Sequence, residues 1–175
     1  LLLPTGCFLL PADNIPDTAQ SRSFSQWVGG LMMQLEAALS GSATQNGPGQ
    51  PDRWREVQGV WLLAGSAGAT GAIQTFLNAF SQPPPVAFIY AQHLDPAQQH
   101  QLQRFTAQNK QFSLSVAGSV QTLAPARLVM ISPRYTVALN EFGQLTTTRE
   151  EWSGQHTPDI NELLVILSAA KLPAP

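Results

Sequence analysis

Val60-Trp61-Leu62-Leu63-Ala64-Gly65-Ser66-Ala67-Gly68 joins a continuous apolar run to a turn of small residues. Five apolar residues without polar alternation suit a parallel strand buried on both faces. Beyond the turn, Ile73, Phe76, Leu77 and Phe80 recur at helical spacing until Pro83-Pro84-Pro85 ends the pattern. Val86-Ala87-Phe88-Ile89-Tyr90 is a second buried run. Asp95-Pro96-Ala97-Gln98 then reads as a helix start, with Asp at the N-cap, Pro at the first helical position and Gln at the third. Leu102 and Phe105 are the core-facing residues expected of that helix.

Further on, Ser113 to Val116 and Leu128 to Ile131 read as strands. Tyr135–Leu139 and Leu145–Thr148 flank Asn140-Glu141-Phe142-Gly143 and read as a hairpin. The alternation of strand and helix predicts an α/β fold: a mainly parallel, doubly wound sheet flanked by helices, with an antiparallel edge hairpin.

Working back toward the N-terminus, residues 40–53 contain only Gly, Ser, Pro, Ala and polar or charged residues, the composition of a linker. Before it, Phe24, Trp27, Val28, Leu31, Met32, Leu35 and Leu39 mark a core-facing helix, with Ser21 or Ser23 as its cap and Gly41 after its end. The Met32-Met33 pair is expected to pack. The expected organisation is a helical arm or remnant over 1–40, a linker over 41–56 and an α/β domain over 57–175. Leu1-Leu2-Leu3-Pro4 has no Met start and no basic flank, so the chain reads as a trimmed piece and not as a signal peptide.

Charge narrows the function classes. The 175 residues include 9 Lys and Arg against 11 Asp and Glu, a formal net charge of −2. Charged residues are only 11% of the chain, and 18 glutamines supply much of the polar surface instead. So sparse a set of cations argues against a nucleic-acid footprint or an anionic-membrane helix. No apolar run reaches the ~18 residues that a membrane span needs. Cys7 is the only cysteine, which excludes an internal disulfide and a Cys-rich zinc site. His93, His100 and His156 have no metal-ligand spacing, and Asp95-Pro96 interrupts the one helical separation among them. No cofactor and no metal are expected.

In parallel sheets the active crevice lies at the carboxyl ends of the strands. Two polar residues fall there: Ser66 after the first strand and His93, in Tyr90-Ala91-Gln92-His93, after the second. Neighbouring strands would bring them within reach as a serine nucleophile and its histidine base. At a helix start, where Ser66 would sit, free backbone amides could hold an oxyanion. Ser66 could equally be a plain N-cap, and His93 a satisfied polar residue. Gly65, Gly68 and Gly71 are spaced GxxGxxG, not as the GxGxxG dinucleotide fingerprint. No P-loop Gly-Lys-Ser/Thr is present, and Ala64 replaces the first Gly of a GxSxG elbow.

Leu62 to about Ser168 resembles the catalytic domain of the chemotaxis protein-glutamate methylesterases (CheB type). The pieces that carry the resemblance are Ala64-Gly65-Ser66-Ala67-Gly68-Ala69 after a strand, Ala91-Gln92-His93-Leu94 after the next, Ile131-Ser132-Pro133-Arg134 before a hairpin, and His156-Thr157-Pro158 before a helix. The resemblance implies a cytoplasmic bacterial carboxylic ester hydrolase. It would act on γ-glutamyl methyl esters of chemoreceptor helices through a Ser, His and Asp triad. It implies Ser66 as nucleophile, His93 as base, the backbone amides around Ala67 and Gly68 as oxyanion-hole candidates, and an upstream phospho-receiver domain, as in a response regulator, of which 1–40 would be the tail.

The family's Gly-Met-Gly-x-Asp-Gly motif has no counterpart here, its second Gly after the serine is Ala69, and a His that often follows the Ala-Pro-Gly segment is Val137. Val165-Ile166-Leu167-Ser168 is either the strand that should carry the Asp or part of the helix before it. Asp95, Asp159 and Glu162 are the other carboxylates to place. Two readings follow: a methylesterase whose last element is missing from this chain or which finds another acid, or a catalytically degenerate domain kept as an interaction or regulatory module. A third is an unrelated serine esterase.

Overall fold

In a computed structural model of the chain, the residues described are 26–30, 32–33, 56–98, 111–118 and 120–170. Leu102 and Phe105, Leu35 and Leu39, the caps Ser21 and Ser23, Gly41 and the linker over 40–53 lie outside them.

Four strands form a parallel sheet in the order β1 (Val60–Gly65), β2 (Ala87–Gln92), β5 (Arg127–Met130) and β3 (Ser113–Val116). β1 runs into a short 3-10 turn, Ala67–Ala69, and then α1 (Thr70–Asn78). A second helix, α2 (Ile160–Ala169), follows the last strand. Val165 to Ser168 is therefore helical, and of the two expectations for that segment the helix is the one observed. The apolar residues of α2 at positions 163 and 167 fall on one face, which is helical rather than strand periodicity.

β2 is buried along its whole length, as a central strand covered on both faces requires, whereas β1, expected to be buried likewise, stands at the end of the sheet and is only half-buried, with Ala64 exposed. In β2, Phe88 and Tyr90 point into one core with Phe76, Leu77 and Phe80 of the α1 segment, while Ala87, Ile89 and Ala91 point into the other with Leu163 and Leu167 of α2. β5 alternates likewise: Leu128 and Met130 join the first core and Val129 the second. Edge-to-face contacts of Phe76, Phe80, Phe88 and Phe112, with centroids 5.3–6.2 Å apart, organise the first core.

The hairpin is antiparallel as expected. It pairs with β4 (Val120–Thr122) in a sheet of its own, ordered β4, β7 (Gln144–Glu151), β6 (Tyr135–Leu139), rather than joining the parallel sheet's edge. β4 has three residues and one apolar side chain, too little to show in the sequence pattern. Asn140 builds the turn: its Oδ1 accepts from the amides of Phe142 and Gln144, each at 3.0 Å, and Gly143 takes φ 68°.

Near the N-terminus, the helical residues 26–30 and 32–33 pack on the body. Val28 is buried against Ala72 of α1, with Trp27 and Met32 beside it. Met33, expected to pack, is exposed, because it lies on the far side of that helix from Val28.

Candidate active site

The parallel register sets the two candidate residues side by side. Gly65 stands opposite Gln92 at the ends of β1 and β2. The ladder continues one step further, with the His93 amide donating to the Gly65 carbonyl at 2.9 Å. Ser66 and His93 thus leave adjacent strands at the same height, at the carboxyl edge of the sheet.

Ser66 has an extended backbone (φ −97°, ψ −174°) and occupies the N-cap position of the 3-10 turn, where its carbonyl accepts from the Ala69 amide at 2.9 Å. Its side chain makes no capping hydrogen bond and is exposed. The N-cap alternative therefore does not describe what the hydroxyl does. Ala67 and Gly68 open the turn, so their amides are among the first of the helical segment, and a Cβ on Gly68 would meet open space. Gly65 is confined differently: a Cβ there would collide with the methyl group of Ala69, so the turn folds back on the strand end only because Gly65 has no side chain.

Behind this edge lies a buried polar group. Gln92 is 6% exposed, and its Oε1 accepts from the Tyr90 hydroxyl at 2.8 Å and from the Thr70 hydroxyl at 3.3 Å. Thr70 opens α1, so the amide ties the helix that follows Ser66 to the strand that precedes His93. Burial pushes the Tyr90 phenol up to about 12 against an opposing hydrogen bond with Thr70, which keeps the phenol protonated and donating.

The half-buried His93 ring lies 5.4 Å from the His156 ring, centroid to centroid, with the planes tilted 34°. The backbone holds the two segments together: the Leu94 amide donates to the Thr157 carbonyl at 2.9 Å, and the Thr157 hydroxyl donates back to the Leu94 carbonyl at 3.3 Å. Between them is an open cleft of about 380 Å³, lined by His93, Asp95, Pro96, Gln155, His156 and Thr157. Sequence reasoning missed this pairing. In the sequence His156 stands out only as one of three histidines without metal-ligand spacing and as part of a His-Thr-Pro segment, and 63 residues separate it from His93.

The three carboxylates left to be placed are engaged elsewhere. Asp95 Oδ1 accepts from the Ala97 amide at 2.8 Å and caps the turn Pro96–Gln98, as its position before a proline predicts. Asp159 caps α2 through the amides of Asn161 and Glu162. Glu162 accepts from the amide and hydroxyl of Ser153. Among the described residues, no hydrogen bond or ion pair joins a carboxylate to the His93 ring. Val137, where the resemblance would place a histidine, is buried in the second core.

No described helix is long and apolar enough to cross a membrane. Comparison with protein-family models gives a match to the CheB methylesterase family over residues 61–172. No curated protein and no solved structure matches the chain. The matched span runs from β1 through α2 and takes in both edge residues, and the chain belongs to the CheB methylesterase family, whose members act on methylated chemoreceptors.

Proposed function

We propose that the chain is a serine hydrolase that removes methyl esters from glutamates on chemoreceptor helices. The observation that carries this reading is the register at the sheet edge: Ser66, with a hydroxyl free of capping duty, beside His93. His93 takes the proton as Ser66 Oγ attacks the γ-ester carbonyl. The amides of Ala67 and Gly68 face the developing oxyanion. Collapse of the tetrahedral adduct expels methoxide, which leaves as methanol with the proton from His93. Water, activated by the same imidazole, then releases the glutamate and restores Ser66. The reading extends to a cytoplasmic site of action and to an upstream phospho-receiver domain continuous with residues 1–40.

One observation favours the alternative of a degenerate module kept for binding receptors: the His93 ring has no carboxylate partner among the described residues. In triad proteases, losing the proper acid lowers kcat by about 10⁴.

Methanol release from a methylated receptor fragment separates the readings. The hydrolase reading expects turnover that Ser66→Ala abolishes while the thermal melt stays unchanged. Undiminished turnover in that variant removes Ser66 as nucleophile. Binding of the fragment without turnover selects the module.

A further inference from the structure

We propose that His93 and His156 together form a two-imidazole site for a divalent transition-metal ion of the zinc class, and that an ion bound there takes His93 out of action. Residue spacing pointed to no metal site because it is blind to side chains 63 positions apart.

The argument is geometric. With zinc–nitrogen bonds of about 2.0–2.1 Å and a tetrahedral angle, two imidazole centroids on one ion lie about 5.2 Å apart. The His93 and His156 centroids are 5.4 Å apart. The paired hydrogen bonds between Leu94 and Thr157 fix both backbones one residue away from the rings, so the ordering left for binding is that of the two side chains. Both rings line the same open cleft, which gives an ion a way in and leaves room for water in its other positions.

The donor set defines the ion. Among the described residues no group of three or more His, Cys, Asp or Glu is placed to hold a metal, so the protein supplies two nitrogens and water the rest. Asp95 lines the cleft too, but its carboxylate already caps a turn. Two neutral imidazoles suit zinc, nickel or copper, whereas magnesium and calcium need oxygen ligands. An ion on either ring nitrogen of His93 takes that nitrogen's lone pair and leaves the ring's proton on the other, so the imidazole has no free lone pair with which to take the Ser66 proton. The inhibition half of the proposal rests on the hydrolase reading above; the binding half does not.

The test uses zinc chloride and the full chain. Calorimetric titration is expected to show one equivalent bound in the micromolar range, with magnesium chloride giving no heat. The imidazole proton resonances of His93 and His156 should shift together. Losing even an outer-shell partner weakens metal sites by about 10–100-fold, so His93→Gln and His156→Gln should each weaken binding by at least that much. His100→Gln should leave it intact, with circular dichroism confirming that each variant is folded. Binding that survives His156→Gln, or no saturable binding below millimolar zinc, overturns the proposal. Zinc should also stop methanol release with a midpoint equal to the calorimetric Kd. Zinc binding through both histidines in a chain without esterase activity upholds the site and sinks the hydrolase reading. An active esterase that neither binds zinc nor responds to it does the reverse.

Discussion

Replacing Gln92 with methionine keeps an unbranched chain of similar length and removes one acceptor. In the native protein Oε1 of this 6%-exposed residue receives the Tyr90 hydroxyl at 2.8 Å and the Thr70 hydroxyl at 3.3 Å. Depriving a buried donor of its acceptor costs about 1–3 kcal/mol. Tyr90 keeps its contact with Thr70, and half-buried Thr70 has access to water, so the lower part of that range applies: about 1–2 kcal/mol. Urea unfolding followed by the fluorescence of the four tryptophans measures it. The midpoint should fall with the slope unchanged. A double-mutant cycle with Tyr90→Phe assigns the cause, because once the phenol is gone the missing acceptor has less to deprive. The expected coupling is about 1 kcal/mol. A Gln92→Met loss below about 0.5 kcal/mol, or a coupling of zero, refutes the buried acceptor as the link between β2 and α1.

Other perturbations test other parts. Phe88→Ala, in the aromatic core between α1 and the sheet, should cost about 3–5 kcal/mol in the same unfolding assay. Gly154→Ala should destabilise α2 by about 1 kcal/mol, because a Cβ there collides with the capping carboxylate of Asp159; Asp159→Ala should lose a similar amount, and the pair should not add. Stability should also fall in alkali. The Tyr90 phenol ionises near 10.0 when unfolded and about 12 when folded, so the folded state holds its proton more tightly. Its contribution is complete below pH 10 and is lost as pH rises from 10 to 12, by up to about 2–3 kcal/mol. Tyr90→Phe should flatten that limb of the pH–stability curve.

Period and apolar runs were enough to read β1, β2, β3 and β5, because each gives apolar side chains to one or both cores, and the hairpin showed in its Asn140–Gly143 turn. Ser66 and His93 were legible for a different reason: residues that follow buried parallel strands have few places to be. Other features had no local signal. β4 is too short for a pattern, and the second sheet exists because β4 pairs with β7, a contact between distant residues. Gln92 looked like one more of the 18 glutamines, and only its burial sets it apart. The same holds for His156, whose partner is chosen by how two loops meet. The fate of Val165 to Ser168 was ambiguous because a short apolar run fits a strand or a helix equally well, and packing of Leu163 and Leu167 on the sheet decided it.

The paired hydrogen bonds of Leu94 and Thr157 also bear on the order in which the molecule is made. They close a loop of more than sixty residues, and the whole of β3 to β7 lies inside it. Loop closure of that length yields its reward only after the intervening strands have found their places. The Ser66 side of the cleft can form as soon as β1 and β2 pair, but the His156 side is completed near the end. A nascent or nicked chain would therefore carry the Ser66 turn well before it carries a finished cleft, and the cleft reports whether folding has gone to completion.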